Sequence, residues 1–164
     1  MREWLVASAV VEGPQGVLLV QNRRRDGSLD WSPPGGVIEV HEGESVIDGL
    51  TREVQEETGI LVTSWAGPLW ELEATAEGMG WRMRVEVHQA VTFEGELHPD
   101  DPDGIVVDAR FVEVGDCERH LGQNNIMILE PLSAWLTERW TDSRAFQYRV
   151  DGAARADMKV TRLG

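Results

Sequence analysis

Residues 31–60 read WSPPGGVIEVHEGESVIDGLTREVQEETGI, and the order of parts in this stretch governs the reading of everything around it. It opens on a Pro-Pro-Gly-Gly turn at residues 33–36 and ends with Arg52, Glu53, Glu56 and Glu57 ahead of Gly59. Gly35 and Gly36 permit positive φ or a close approach of backbone to ligand. Glu44 and Ser45 start a helix over residues 44–58, and Gly59 followed by apolar Ile60 ends it. At about 100° per residue, Glu53, Glu56 and Glu57 fall on one face of that helix, within an arc of roughly 100°. Ile47, Leu50 and Val54 make a narrow apolar stripe beside them, so the helix is expected to pack on a core while holding its acids at the edge of a cleft.

Like charges at that spacing repel by a few tenths of a kcal/mol per pair unless something compensates. The compensator this face calls for is a hard divalent cation, because Mg²⁺ takes oxygen ligands and is commonly held by one or two carboxylates together with substrate phosphates. The competing reading is a solvated acidic face, the ordinary fate of a charge run. What separates the two is context: loop, helix and loop form one unit.

That unit resembles the Nudix box, whose pattern is a glycine, five residues, Glu, seven residues, then Arg-Glu-apolar-x-Glu-Glu-x-Gly-apolar. Glu44, Arg52, Glu53, Val54, Gln55, Glu56, Glu57, Thr58, Gly59 and Ile60 match without a gap, while Gly36 lies eight residues before Glu44 where the pattern has six, so the loop over residues 37–43 is two residues longer. The resemblance implies a chain of the α/β (α+β) class: an α/β/α sandwich with a mixed, largely antiparallel sheet between the Nudix helix and a C-terminal helix. It implies that Glu53, Glu56, Glu57 and the backbone carbonyl of Gly36 bind metal, Mg²⁺ or else Mn²⁺. One of the glutamates then serves as a possible base, and Arg52 and Glu44 orient the set. The implied activity is metal-dependent hydrolysis of a phosphoanhydride in a nucleoside diphosphate linked to another group. A nucleoside triphosphate ranks first, because the LLVQNRRR lead-in with Trp31 and PPGG looks like triphosphate-cleaving members. ADP-ribose or another nucleotide sugar is the alternative, and a non-catalytic nucleotide-sensing module is a third reading. An isomerase on the same fold usually needs a catalytic Cys outside the box, and Cys117 fits that poorly.

The remainder of the chain sets limits. Its 164 residues, 41% hydrophobic, suit a single domain with a sizeable core. A net charge of −14 argues against a sequence-independent grip on nucleic acid and would repel a polyphosphate unless metal ions bridge it. No apolar run approaches a membrane span and the N-terminal residues lack signal-peptide character, so a cytoplasmic protein is expected, with neither membrane nor nucleic acid as partner. Cys117 is the only cysteine, and His41, His88, His98 and His120 show no metal-ligand spacing.

Residues 4–11 and 17–20 read as a largely buried hairpin around the turn at residues 13–16. Arg23, Arg24 and Arg25 follow; they are either a solvated strand end or a source of phosphate contacts, with Arg23, Arg25 and Trp31 as candidate substrate-binding residues. A strand from residue 60 to 73 is expected to break at Gly67-Pro68, and residues 81–91 alternate as a half-buried strand. The acidic loop over residues 98–104 offers Asp100, Asp101 or Asp103 as an extra carboxylate. A final helix is expected to carry Pro131 in its first turn, with Leu132, Trp135, Leu136 and Arg139 or Trp140 at helical spacing. The Nudix domain is assigned to residues 1–140. The extension over residues 141–164 belongs to the same domain, and its alternating Phe146, Tyr148 and Val150 suggest a β-hairpin, packed on its own body or across a homodimer.

Overall fold

The computed structural model describes residues 1–122 and 125–164. In chain order the elements are β1 (Arg2–Val10), β2 (Glu12–Gly13), β3 (Gly16–Arg23), β4 (Leu29–Ser32), β5 (Gly35–Val37), α1 (Val46–Thr58), β6 (Leu61–Ala76), β7 (Trp81–Glu94), β8 (Val106–Val112), α2 (Cys117–Leu121), α3 (Ile126–Glu138), β9 (Arg144–Asp151) and β10 (Lys159–Arg162). They build two sheets. The larger has the order β10-β9-β6-β7-β1-β5, with β1/β7 and β6/β9 parallel and its other pairs antiparallel. The smaller is antiparallel and centres on β3, which pairs β2, β4 and β8.

Alternation along the central strands splits the interior into two cores. Val10, Val17 and Leu19 point to a core closed by α2 and α3 through Cys117, Leu121, Leu132 and Trp135. Ala7, Ala9, Leu18 and Val20 point to the opposite core, closed by Leu50 and Val54 of α1. The sheets thus lie between α1 on one side and α3 on the other, the expected sandwich. Full burial of Leu50 and Val54 stabilises by about 1.5–3 kcal/mol each. Among the described residues no helix is long and apolar enough to cross a membrane.

The structure corrects several expectations. Strands β1 and β3 are not partners: the turn at residues 13–16 closes only the short β2/β3 arm, and β1 pairs instead with β7 and β5. Ile47 is exposed on α1 rather than part of its buried stripe. Strand β6 runs on past Gly67-Pro68, with a register shift between Ala66 and Trp70 absorbing the irregularity. Pro131 lies inside α3, because the helix begins at Ile126. Arg139 is the left-handed residue that ends α3, and Trp140 lies past the helix, its indole N–H donating to the Leu69 carbonyl at 2.6 Å.

Candidate active site

Helix α1 is fixed at both ends by its own sequence. Ser45 caps the start, its hydroxyl oxygen accepting from the Asp48 amide at 3.1 Å, and Gly59 ends it in the left-handed conformation, φ 84°. This places the acid face of the helix against β5. The Gly35 amide donates to Glu57 Oε1 at 2.8 Å, and a Cβ on Gly36 would come within 2.9 Å of the Glu53 carboxyl carbon. A Cβ on Gly35 would fall 2.1 Å from the Ala7 carbonyl oxygen, so that position admits no side chain, while one on Gly36 would displace the Glu53 carboxylate.

Arg52 gathers the remaining acids. Its Nε and Nη2 donate to the two oxygens of Glu44 at 2.9 and 3.1 Å, while Nη1 lies 3.2 Å from Glu56 Oε2 and 3.3 Å from Glu53 Oε1. The Arg52 hydrogen bonds hold the Glu44 carboxyl below its ordinary range, and the Glu44 contact in turn raises Arg52. Glu53 and Glu57 move the other way. Burial pushes Glu53 up to about 7, with Arg52 opposing and Glu56 and Asp101 adding repulsion. Burial pushes Glu57 up to about 8, against the Gly35 amide and with Glu53, Asp101 and Glu56 adding repulsion. Glu53 is partly and Glu57 largely desolvated, so ionising both calls for positive charge beside them.

The donor set is all oxygen, as a hard divalent cation requires. Among the described residues no three acidic, His or Cys side chains converge on one point where a metal ion would sit. Arg52 and the Gly35 amide each contact one oxygen of Glu53, Glu56 or Glu57, and the second oxygen of each carboxylate remains available to a ligand. The residue types and their placement around the Gly36 backbone fit such an ion.

Gly35 and Gly36 also form one wall of an apolar cavity of about 230 Å³, so this short strand separates the carboxylates from the cavity. Trp70, Met83, Val87, Met127 and Leu132 supply its apolar lining, and Ser8, Ser32 and Asn125 its polar side chains.

A family profile described as the NUDIX domain matches residues 3–136. The chain belongs to the Nudix hydrolase family. It is 34% identical over 74 residues to the zebrafish (Danio rerio) protein called 8-oxo-dGDP phosphatase NUDT18, a match covering 41% of this chain but only 22% of that protein's length. Its fold is similar to the E. coli ORF135 protein, with a TM-score of 0.69 and 22% identity over 87% of this chain and 96% of that one. It is also similar to the MutT protein of Bacillus halodurans, with a TM-score of 0.64 and 20% identity over 97% of each chain.

Around the Nudix box the other candidate residues scatter. Arg24 is bound to Asp30 at 2.5 and 2.8 Å, whereas Arg23 and Arg25 are exposed at the β3–β4 turn. Trp31 sits beside His120, ring centroids 5.4 Å apart, with the Arg110 guanidinium over its ring. Of the loop aspartates, Asp101 adds to the repulsion on Glu53 and Glu57, and its own oxygens accept from the amides of Asp103, Ile105 and Val106. The Asp100 amide donates to the Glu56 carbonyl, and Asp103 lies further along the loop. Sequence reasoning missed the apolar cavity beneath the Nudix strand β5. The alternation of Met83, Val85 and Val87 signalled its floor, but its closure by α3 depends on contacts distant in sequence.

Proposed function

We propose that this Nudix hydrolase cleaves a phosphoanhydride of a nucleoside triphosphate with Mg²⁺ as cofactor. The observation that carries the reading is the two-residue partition: Gly35 and Gly36 separate an apolar cavity of base-binding character from Glu53 and Glu57. A base in the cavity between Trp70, Met83 and Met127 sends its phosphate chain past the Gly36 backbone toward the carboxylates. Glu53, Glu56, Glu57 and the Gly36 carbonyl hold the cation, which supplies neutralisation of phosphate charge and polarisation of the attacking water. Arg52, pinned by Glu44, keeps Glu53 and Glu56 aligned and limits their mutual repulsion. A carboxylate of this set, or Asp101, accepts the proton of the water. The name of the zebrafish relative supports including oxidised purine nucleotides among the substrates tested. The cavity would take the base of a nucleotide sugar as well, so ADP-ribose, the alternative reading, belongs in the same panel.

The experiment is release of orthophosphate or pyrophosphate from a panel of nucleoside triphosphates, 8-oxo-dGTP, 8-oxo-dGDP and ADP-ribose, with and without Mg²⁺. We expect a triphosphate to give the highest kcat/KM, and Glu56→Gln to lower kcat by about 10² or more with the circular dichroism spectrum unchanged. Turnover in the absence of any divalent cation, or full activity of Glu56→Gln, would sink the assignment.

A further inference from the structure

Beyond the acidic loop lies a second cleft, of about 730 Å³, rich in arginine although the protein as a whole is acidic. Arg23, Arg24, Arg25 and Asp26 line it from the β3–β4 turn, Asp103 and Ile105 from the loop, and Arg155 from the C-terminal segment. Four guanidinium groups drawn from two distant parts of the chain meet here in a protein of net charge −14. Asp30 neutralises Arg24. Among the described residues no ion pair occupies Arg23, Arg25 or Arg155. Arg155 nevertheless stands close enough for its charge to favour ionised Asp26 and Asp30.

The cleft adjoins the carboxylates through one loop. The Asp100 amide donates to the Glu56 carbonyl at 3.2 Å, while Asp103, three residues on, lines the arginine cleft. Three residues of fully extended chain span at most about 11 Å between Cα atoms. The Arg23 amide donates to the Ile105 carbonyl at 2.8 Å and ties the arginine turn to that loop. Exposed arginines are ordinarily a solvated strand end. Here three without carboxylate partners converge beside a phosphate-handling site, one of them from outside residues 3–136, the part that matches the family.

We propose that this cleft holds the phosphate end of the substrate remote from the base, and that Arg25 and Arg155 select a chain ending in free phosphate over one ending in a neutral sugar. The proposal rests on the triphosphate reading above and names the residues that enforce it. Guanidinium recognises phosphate through paired charged hydrogen bonds, and a cluster of them raises the local concentration of a polyanion.

The decisive test measures binding of inorganic tripolyphosphate by titration calorimetry in EDTA, where the carboxylates repel the anion and the arginine cleft attracts it. We expect R25A and R155A each to weaken binding about tenfold, and kcat/KM for a triphosphate relative to ADP-ribose to fall by a similar factor. Wild-type affinity in both variants, or no binding by the wild-type protein, overturns the proposal. If the wild-type enzyme cleaves no triphosphate, the functional reading fails, while the calorimetry still decides whether the cleft is an anion site.

Discussion

Glu57 is buried, accepts a hydrogen bond from the Gly35 amide, and sits beside Glu53 and Asp101, whose charges oppose its ionisation. Its carboxyl at about 8 and that of Glu53 at about 7 both lie above the ordinary 4.5, so the folded protein binds protons more tightly than the unfolded chain. For groups raised in this way, the stability they contribute is full below the unfolded value and is lost as pH rises through the folded one. In EDTA the melting temperature should therefore fall between about pH 5 and about pH 9, and Glu57→Gln should flatten that fall. Mg²⁺ should raise the melting temperature more at the alkaline end, because the ligands must be deprotonated to bind it. Thermal melts at several pH values check both; a Mg²⁺ effect that is largest in acid would remove the glutamates from the ligand set. At this scale the sequence was informative: the Nudix spacing placed Arg52, Glu53, Glu56 and Glu57 together, since helix geometry alone sets their relative positions, whereas Glu44 lies ahead of the cap at Ser45, not in the helix as expected, and reaches Arg52 from the preceding turn. Asp101 could not be chosen among its neighbours, because its place depends on how the loop folds back on amides 103, 105 and 106.

Helix α1 shows where element-scale reading stops. Its caps at Ser45 and Gly59 are local chemistry and were legible. Its buried face was legible to within one residue: Leu50 and Val54 are fully buried, but Ile47 is 37% exposed, because the sheet beneath decides how far the contact extends. The pair makes a test of that boundary. Leu50→Ala should cost about 2–5 kcal/mol by denaturant unfolding, whereas Ile47→Glu should stay within about 0.5 kcal/mol. Equal losses would put Ile47 back in the core. The pairing of β1 failed for the same kind of reason. A tight turn after an apolar run signals a hairpin, yet β1 pairs in parallel with β7, some eighty positions along in the register Arg2↔Trp81, and no local pattern encodes that. Pro131 inside α3 is a milder case: it removes one backbone donor at a buried position that otherwise packs normally.

At the scale of the molecule, the C-terminal segment completes the larger sheet. Strand β9 lies between β10 and β6, with Phe146, Tyr148 and Val150 buried against the α3 core, and the Tyr148 hydroxyl donates to Glu130 of α3 at 3.2 Å. The alternation of those three residues was visible in the sequence, but their partner was not, since β6 runs parallel to β9 and begins far upstream. We therefore take residues 141–164 as part of the same folding unit as the Nudix box. Burial of three such side chains contributes about 1.5–3 kcal/mol each, an appreciable fraction of the roughly 5–15 kcal/mol that separates folded from unfolded chains of this kind. Ending the chain after Trp140 also leaves the long edge of β6 unpaired and its core face bare, which favours association through that edge. The truncated protein should melt at least about 10 °C lower, given the usual 2–4 °C per kcal/mol for a chain this long, and should form larger species by size-exclusion chromatography. A truncated chain that stays monodisperse and melts within a few degrees of the full one would show that the earlier elements hold the carboxylate site without β9.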